Sequence, residues 1–392
     1  MADNFLLNRR DVLKLGLGTL TGMGAVAFAK NVSLQQQIQS DDHLTRNFNT
    51  SGKGTLKERA AAKGLIYGAA IRYPDLSSDS LLAAAVAKEC GMLVPEWELK
   101  WSAGKQALRP NKDNFDFRAA DWMANFANSH NLLFRGHTLV WHDSLPPWFK
   151  YEVNRQNAEL FLTKHINKVV GHYAGRIHSW DVVNEAIALW DKRSDNFRKT
   201  PWLEYLGTDY IELAFRLAAI ADPKALLVYN DYDLDYDTSK HEAKRNAVLN
   251  LLQRLKSKGT PVHALGIQAH LSGDSKSFNA QKFRAFLGQV AGLGLKIMIT
   301  EMDVKDDKLP KDPQKRDQAI ASAYEDYLSA ALDEKAVNTV ITWGLSDKYT
   351  WLSEFKPRPD RSPVRPLPLD DKMQQKLAWR AIARAFDHAP QR

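Results

Sequence analysis

Eight short apolar runs recur along residues 60–388, and each is followed by a stretch with helical spacing. The runs are Leu65–Ile71, Met92–Glu96, Leu133–Trp141, Ile177–Glu185, Ala225–Asp231, Ala264–His270, Lys296–Asp303 and Thr339–Leu345. Some are apolar almost throughout, as in Leu226-Leu227-Val228-Tyr229 and Ile297-Met298-Ile299. Runs of this kind suit strands covered on both faces, which means parallel strands with helices outside. Between them, Leu162, Ile166, Val169, Val170 and Tyr173 fall on one helical stripe, as do Val248, Leu251, Leu252 and Leu255. Further helical patterns cover Ser80–Cys90, Ala119–Ser129, Asp209–Ala221, Lys282–Leu293, Gln314–Leu332 and Lys372–Phe386. Ser80 and Asp209 are read as early-turn or capping residues. Eight strand–helix repeats predict an α/β fold, a (β/α)8 TIM barrel, with no domain break inside residues 60–388. The alternative, an open doubly wound sheet, lacks a Gly-x-Gly-x-x-Gly after the first run.

Composition removes other classes. A chain of 392 residues with 44% hydrophobic residues is neither disordered nor a small stapled scaffold, and its single cysteine, Cys90, sits in an apolar stretch as a buried hydrophobe. The net charge of +8 is spread along the chain. No basic block marks a nucleic-acid or membrane partner. The basic segment Lys356–Pro366 is broken by prolines and reads as a surface loop.

The first thirty residues read as an address. Asn8-Arg9-Arg10-Asp11-Val12 precedes an apolar run from Leu15 to Phe28, and Ala27-Phe28-Ala29 offers small residues where a signal peptidase cuts. The paired arginines resemble a twin-arginine export signal, with an ordinary secretory signal as the alternative. The expected organisation is a signal peptide over residues 1–29, a polar flexible lead-in over 30–59 and a catalytic barrel over 60–388. The mature protein is then expected in the periplasm or outside the cell, free of the membrane.

In such a barrel the chemistry gathers at the strand C-termini. There the sequence places Glu96 to Trp101, His137 to His142, Asp181 to Glu185, Asn230-Asp231-Tyr232, Gln268-Ala269-His270, and Thr300 to Asp303, with Trp343 and Trp351 at and after the eighth run. Glu185 and Glu301 each close an apolar strand, a costly position for an unused charge. Two carboxyl groups in unlike surroundings suit glycoside hydrolysis, where one protonates the leaving oxygen and the other attacks or activates water. Trp97, Trp101, Trp141, Trp148, Trp343 and Trp351 supply indoles that stack on sugar faces, although Trp148 and Trp101 are expected to plug the barrel mouth instead. His137, His142 and His270 raise a metallohydrolase as a rival, but no metal-ligand spacing accompanies them, so no metal is expected.

These segments resemble glycoside hydrolase family 10, the retaining endo-β-1,4-xylanases. The resemblance rests on Gly136 to His142, Trp180 to Glu185, Gly266 to His270 and Ile299 to Asp303, and extends over about residues 60–388. It implies Glu185 as general acid/base and Glu301 as nucleophile, with Asn184 on the 2-hydroxyl of the reacting sugar. It implies that His270 orients Glu301 and that Asp303 steadies His270. His137 and Gln268 would hold the reacting sugar, Glu96 and Lys100 would grip the next sugar on the non-reducing side, and Trp141, Trp343 and Trp351 would wall the cleft. Xylan or xylo-oligosaccharide is the implied substrate, with no cofactor, and the enzyme is expected to be a monomer. Two positions depart from the family pattern. Trp97 stands where the family has Asn, and Asp143-Ser144 where it has Ser-Gln, which puts the non-reducing-side subsites in doubt. A retaining β-1,4-glucanase and a non-catalytic carbohydrate-binding barrel are the alternatives.

Overall fold

The computed structural model describes residues 46–104 and 107–392. The export-signal reading and residues 30–45 of the expected lead-in lie outside the described residues. A compact unit spans Phe48–Arg392. It begins earlier than the expected boundary at residue 60, because Phe48 and Leu56 are buried in the apolar core. Thr55 closes a capping box with Glu58 at the start of the short helix Leu56–Ala61.

Eight parallel strands close into a barrel. They are β1 (Ile66–Ile71), β2 (Met92–Pro95), β3 (Leu133–Gly136), β4 (Ser179–Asn184), β5 (Leu226–Asp231), β6 (Ala264–Ile267), β7 (Lys296–Lys305) and β8 (Val337–Thr342). Each pairs with the next, and β8 returns to β1 with Ile66 opposite Thr339. The principal outer helices are α1 (Ser80–Glu89), α2 (Arg118–Ser129), α3 (Ala158–His172), α4 (Tyr210–Ala221), α5 (Ser239–Ser257), α6 (Ala280–Gly292), α7 (Pro313–Ala331) and α8 (Leu377–His388). All eight expected repeats are present.

Two local readings of strands change, and the helix starts are settled in detail. The third run stops as a strand at Gly136. Beyond it Leu139 and Val140 donate to the Asp181 and Val182 carbonyls as an irregular continuation along β4. The sixth run breaks after Ile267, where Ala269 takes a φ of 61°, and resumes at His270–Ser272 against β7. The cap of α1 is Asp79, which accepts from the Leu81 and Leu82 amides, while Ser80 is the first helical residue. Asp209 holds the cap position of α4 but makes no capping bond.

Most apolar side chains fill the layer between strands and helices. Gly136 makes that layer possible beside Trp180, since a Cβ there would lie 2.1 Å from the indole. The barrel interior is partly polar. Buried Arg135 donates to Ser179 Oγ and pairs with Asp181, whose other oxygen lies 2.9 Å from His137 Nδ1. A column of polar contacts thus climbs from the barrel centre to its mouth.

The segment Lys356–Pro366 is more than a surface loop. The buried guanidinium of Arg358 donates to the carbonyls of Asp306 and Leu309, and Pro363 accepts from buried Arg316. Its basic character is in part structural. Cys90 is buried, as its surroundings in sequence suggest.

Both ends of the barrel domain lie at the N-terminal ends of the strands. Arg59, before β1, pairs with Asp387 at the end of α8. The Arg392 amide donates to the Lys63 carbonyl. Among the described residues no helix is long and apolar enough to cross a membrane.

Candidate active site

Glu185 follows the last residue of β4 in a left-handed conformation, φ 58°, with its amide bonded to the Asn230 carbonyl. That turn directs the chain out of the sheet at the barrel mouth. Glu301 stands within β7 and is buried. Three side-chain amides join the two carboxyl groups. Gln268 donates to Glu185 Oε1 at 3.0 Å, and Asn184 Nδ2 lies 3.3 Å from the same oxygen. Asn230 donates to Asn184 Oδ1 at 2.9 Å and to Glu301 Oε1 at 2.7 Å. Thr300 donates to Asn230 Oδ1 and fixes which way that amide points. Gly266 leaves the space, because a Cβ there would come within 2.3 Å of Asn230 Oδ1.

The two carboxyl groups are shifted in opposite senses. Burial raises Glu185, and the Asp231 charge adds to the shift, against the Gln268 hydrogen bond. Burial also pushes on Glu301, but the His270 hydrogen bond and the charges of His137, His270 and Lys100 outweigh it and hold the group below its ordinary value. His270 explains much of this. Its Nε2 lies 3.3 Å from Glu301 Oε2 and its Nδ1 3.0 Å from Asp303 Oδ1. Burial opposes its charge, yet the two carboxylates lift it to about 10, so it stays an imidazolium at neutral pH. Trp351 donates to the second Asp303 oxygen at 2.7 Å.

The expected sugar-contact residues come together at one side of the mouth. Lys100 Nζ lies 5.0 Å from the Trp141 ring and 5.7 Å from the Trp343 ring. His137 packs edge-on to Trp343 at 5.1 Å. Glu96 is buried and pushed up to about 7 by that burial, against the pull of Arg72 and Lys100. Nδ1 of His142 is buried without a hydrogen-bond partner among the described residues, and both His142 and the indole of Trp141 border Glu185. Such groups suit contact with a bound hydroxyl. Trp101 and Trp148 fall away from this group as expected: Trp101 stacks on buried His165 and donates to the Leu139 carbonyl, and Trp148 donates to Arg109. Trp97 is half-buried with the Arg72 guanidinium 4.8 Å from its ring, and Asp143 is exposed.

The three histidines that raised a metal reading are engaged separately, His137 with Asp181, His270 with Glu301 and Asp303, and His142 beside Glu185. Among the described residues no group of three or more His, Cys, Asp or Glu is placed to hold a metal ion.

Three residues of the site went unassigned in the sequence. Asn230 and Asp181 stood inside the quoted strand ends, without a role. Arg198 gave no signal, being thirteen residues beyond Glu185. Its Nε donates to the Glu185 carbonyl, and a guanidinium nitrogen lies 3.6 Å from Glu185 Oε2.

A raised and a lowered carboxyl group at the C-terminal mouth of a (β/α)8 barrel, with indoles around them, define the site of a glycoside hydrolase. The model of "Glycosyl hydrolase family 10" matches residues 55–385. Endo-1,4-beta-xylanase 1 of Humicola insolens is 34% identical over 338 residues, covering 84% of this chain and 73% of its own length. Xylanase 10B of Thermotoga petrophila RKU-1, solved with xylobiose, superposes with a TM-score of 0.77 at 33% identity, covering 86% of this chain and 99% of that one. Native xylanase 10B of Thermotoga maritima gives 0.76 at 33%, covering 85% and 98%. The chain belongs to glycosyl hydrolase family 10.

Proposed function

We propose that the chain is an endo-1,4-β-xylanase that cleaves internal β-1,4-xylosidic bonds by double displacement with retention. The observation that carries the assignment of roles is the amide network joining Glu185 and Glu301, in which burial favours the neutral form of Glu185 and the His270 hydrogen bond favours the charged form of Glu301. Glu301, held ionised by His270, attacks the anomeric carbon. Glu185, whose burial favours its protonated form, gives its proton to the departing glycosidic oxygen. Glu185, now a carboxylate, takes a proton from water as that water displaces Glu301 from the glycosyl-enzyme, restoring both groups. Asn184 holds the 2-hydroxyl, His137 and Gln268 the reacting sugar, and Glu96 and Lys100 the next one. Trp141, Trp343 and Trp351 form the aromatic walls.

Product analysis on linear xylan and carboxymethyl-cellulose, with Glu185→Ala alongside, tests this. Short xylo-oligosaccharides from xylan alone, lost in the variant, are expected. Activity on the glucan alone overturns the substrate, and inactivity on both overturns the enzymatic reading.

The export address at Asn8–Phe28 supports a periplasmic or secreted protein, delivered by the twin-arginine route. Replacing Arg9 and Arg10 together by Lys is expected to leave the protein in the cytoplasm with its signal uncut. A monomer is the proposed state, for which light scattering after gel filtration gives a mass near 41 kDa once about thirty residues at roughly 110 Da each are removed.

A further inference from the structure

The loop leaving Glu185 is a small hairpin. Ile187 and Phe197 form an antiparallel bridge, the Ala188 amide donates to the Asn196 carbonyl, and the Arg198 amide to the Ala186 carbonyl. At its tip stands Trp190, with 48% of its surface exposed. This exposed indole is firmly held. The Arg198 guanidinium lies 5.0 Å from the ring centroid and Tyr232 packs at 6.1 Å with a 31° tilt. Arg198 is buried, and it also donates to the Tyr232 hydroxyl at 2.8 Å. Beneath the hairpin, buried Lys244 donates to the Ile187 carbonyl and pairs with Asp231 at 2.8 Å. An apolar ring kept in water on a braced support invites a partner with apolar C–H faces.

Its place in the barrel says which part of a substrate it meets. The Trp190 and Tyr232 rings follow β4 and β5. Lys100 and Trp343 follow β2 and β8, on the other side of the eight-strand ring. Arg198 links Trp190 to Glu185 and not to Glu301. An acid that protonates the glycosidic oxygen must stand beside the departing sugar, so groups clustered around the acid face the leaving portion of the chain.

We propose that Trp190 is a stacking platform for the departing part of the polysaccharide, setting how many sugars on the leaving side contribute to the rate. This rests on the assignment of Glu185 as the acid. The residue determines specificity and takes no part in the chemistry.

The test compares Trp190→Ala and Trp190→Phe with the unmodified protein on two substrates. One is xylohexaose labelled at its reducing end. The other is an aryl β-xylobioside, whose leaving group carries no sugar. For Trp190→Ala, the loss in kcat/KM on xylohexaose should exceed that on the aryl substrate roughly three- to tenfold, the range one aromatic stacking contact supports. Cleavage should shift to bonds nearer the labelled end, and Trp190→Phe should restore most of the difference. Equal losses on both substrates would show that the ring acts only through Arg198 on Glu185 and would overturn the proposal, as would no loss on either. If the unmodified protein cleaves cellohexaose and not xylohexaose, the xylan reading fails. The Trp190 comparison is then read on cellohexaose and an aryl cellobioside by the same criteria.

Discussion

The side-chain amide of Asn230 donates to Glu301 across 2.7 Å from a neighbouring part of the barrel, while its backbone carbonyl accepts from the Glu185 amide, so one residue touches both carboxyl-bearing positions. Asn230→Ala removes a hydrogen bond to a charged group, a loss of about 1.5–3 kcal/mol. We expect kcat/KM to fall roughly 10- to 150-fold. The acidic limb of the pH profile should move to higher pH, because Glu301 loses a donor that favours its charged form. Gly266→Ala, which crowds the Asn230 oxygen, should reproduce part of both effects. Steady-state kinetics across pH on an aryl xylobioside measure them.

Glu301→Ala should abolish nearly all hydrolysis while the fold persists by circular dichroism. Azide should then restore cleavage of an aryl xylobioside and yield the inverted α-glycosyl azide, since the ion enters where the carboxylate stood. A β-azide in the NMR spectrum would remove Glu301 from the nucleophile's role.

The pH dependence of kcat/KM should be bell-shaped. Glu301 must be ionised, and its lowered value places the acidic limb below the ordinary carboxylate range. Glu185 must be protonated, and its raised value places the alkaline limb above that range. Glu185→Gln should erase the alkaline limb on substrates with a good aryl leaving group, which need no proton. An alkaline limb that survives would assign it to another residue.

Acid should destabilise the fold through its histidines. His165 is fully buried, both ring nitrogens lack hydrogen-bond partners among the described residues, and burial with nearby Arg109 holds it well below its ordinary value. His142 and His178 are pushed down to about 4, chiefly by burial. Below about pH 6.5 the unfolded chain takes up protons that the folded chain refuses, so stability falls as pH drops. Each such group contributes up to about 1.4 kcal/mol per pH unit. His165→Phe, keeping the stack on Trp101, should flatten the slope of urea stability between pH 7 and 5. An unchanged slope would place the acid sensitivity elsewhere.

Asp306 sits buried between Arg316, at 3.0 Å, and Arg358, at 3.7 Å. Asp306→Ala leaves buried Arg316 without its carboxylate and Arg358 with Asp360 alone, which costs about 3–5 kcal/mol. The lowered urea midpoint should come with early proteolytic cutting in the Lys356–Pro366 loop. Cutting elsewhere first would deny that this cluster anchors the loop.

The barrel was readable because strands buried on both faces leave continuous apolar runs, as Leu226 to Tyr229 does. Glu185 and Glu301 were readable because a charge closing such a run stands out against it. Asn230 was not, since a neutral amide at a strand end looks like any solvated terminus, and its partner is 71 positions away. Arg198 was hidden by the hairpin, which brings it back to Glu185 only once folded. The break after Ile267 was invisible because Ala269 carries no turn signal, yet its left-handed backbone frees His270 to reach Glu301.

Entry and exit of the barrel domain both lie under its floor, where Arg59 meets Asp387 and Arg392 meets Lys63. Anything spliced after Arg392 therefore leaves from the side away from the carboxyl pair. A carrier, a bead or a second module joined there would leave the groove facing outward, open to a polymer sliding past.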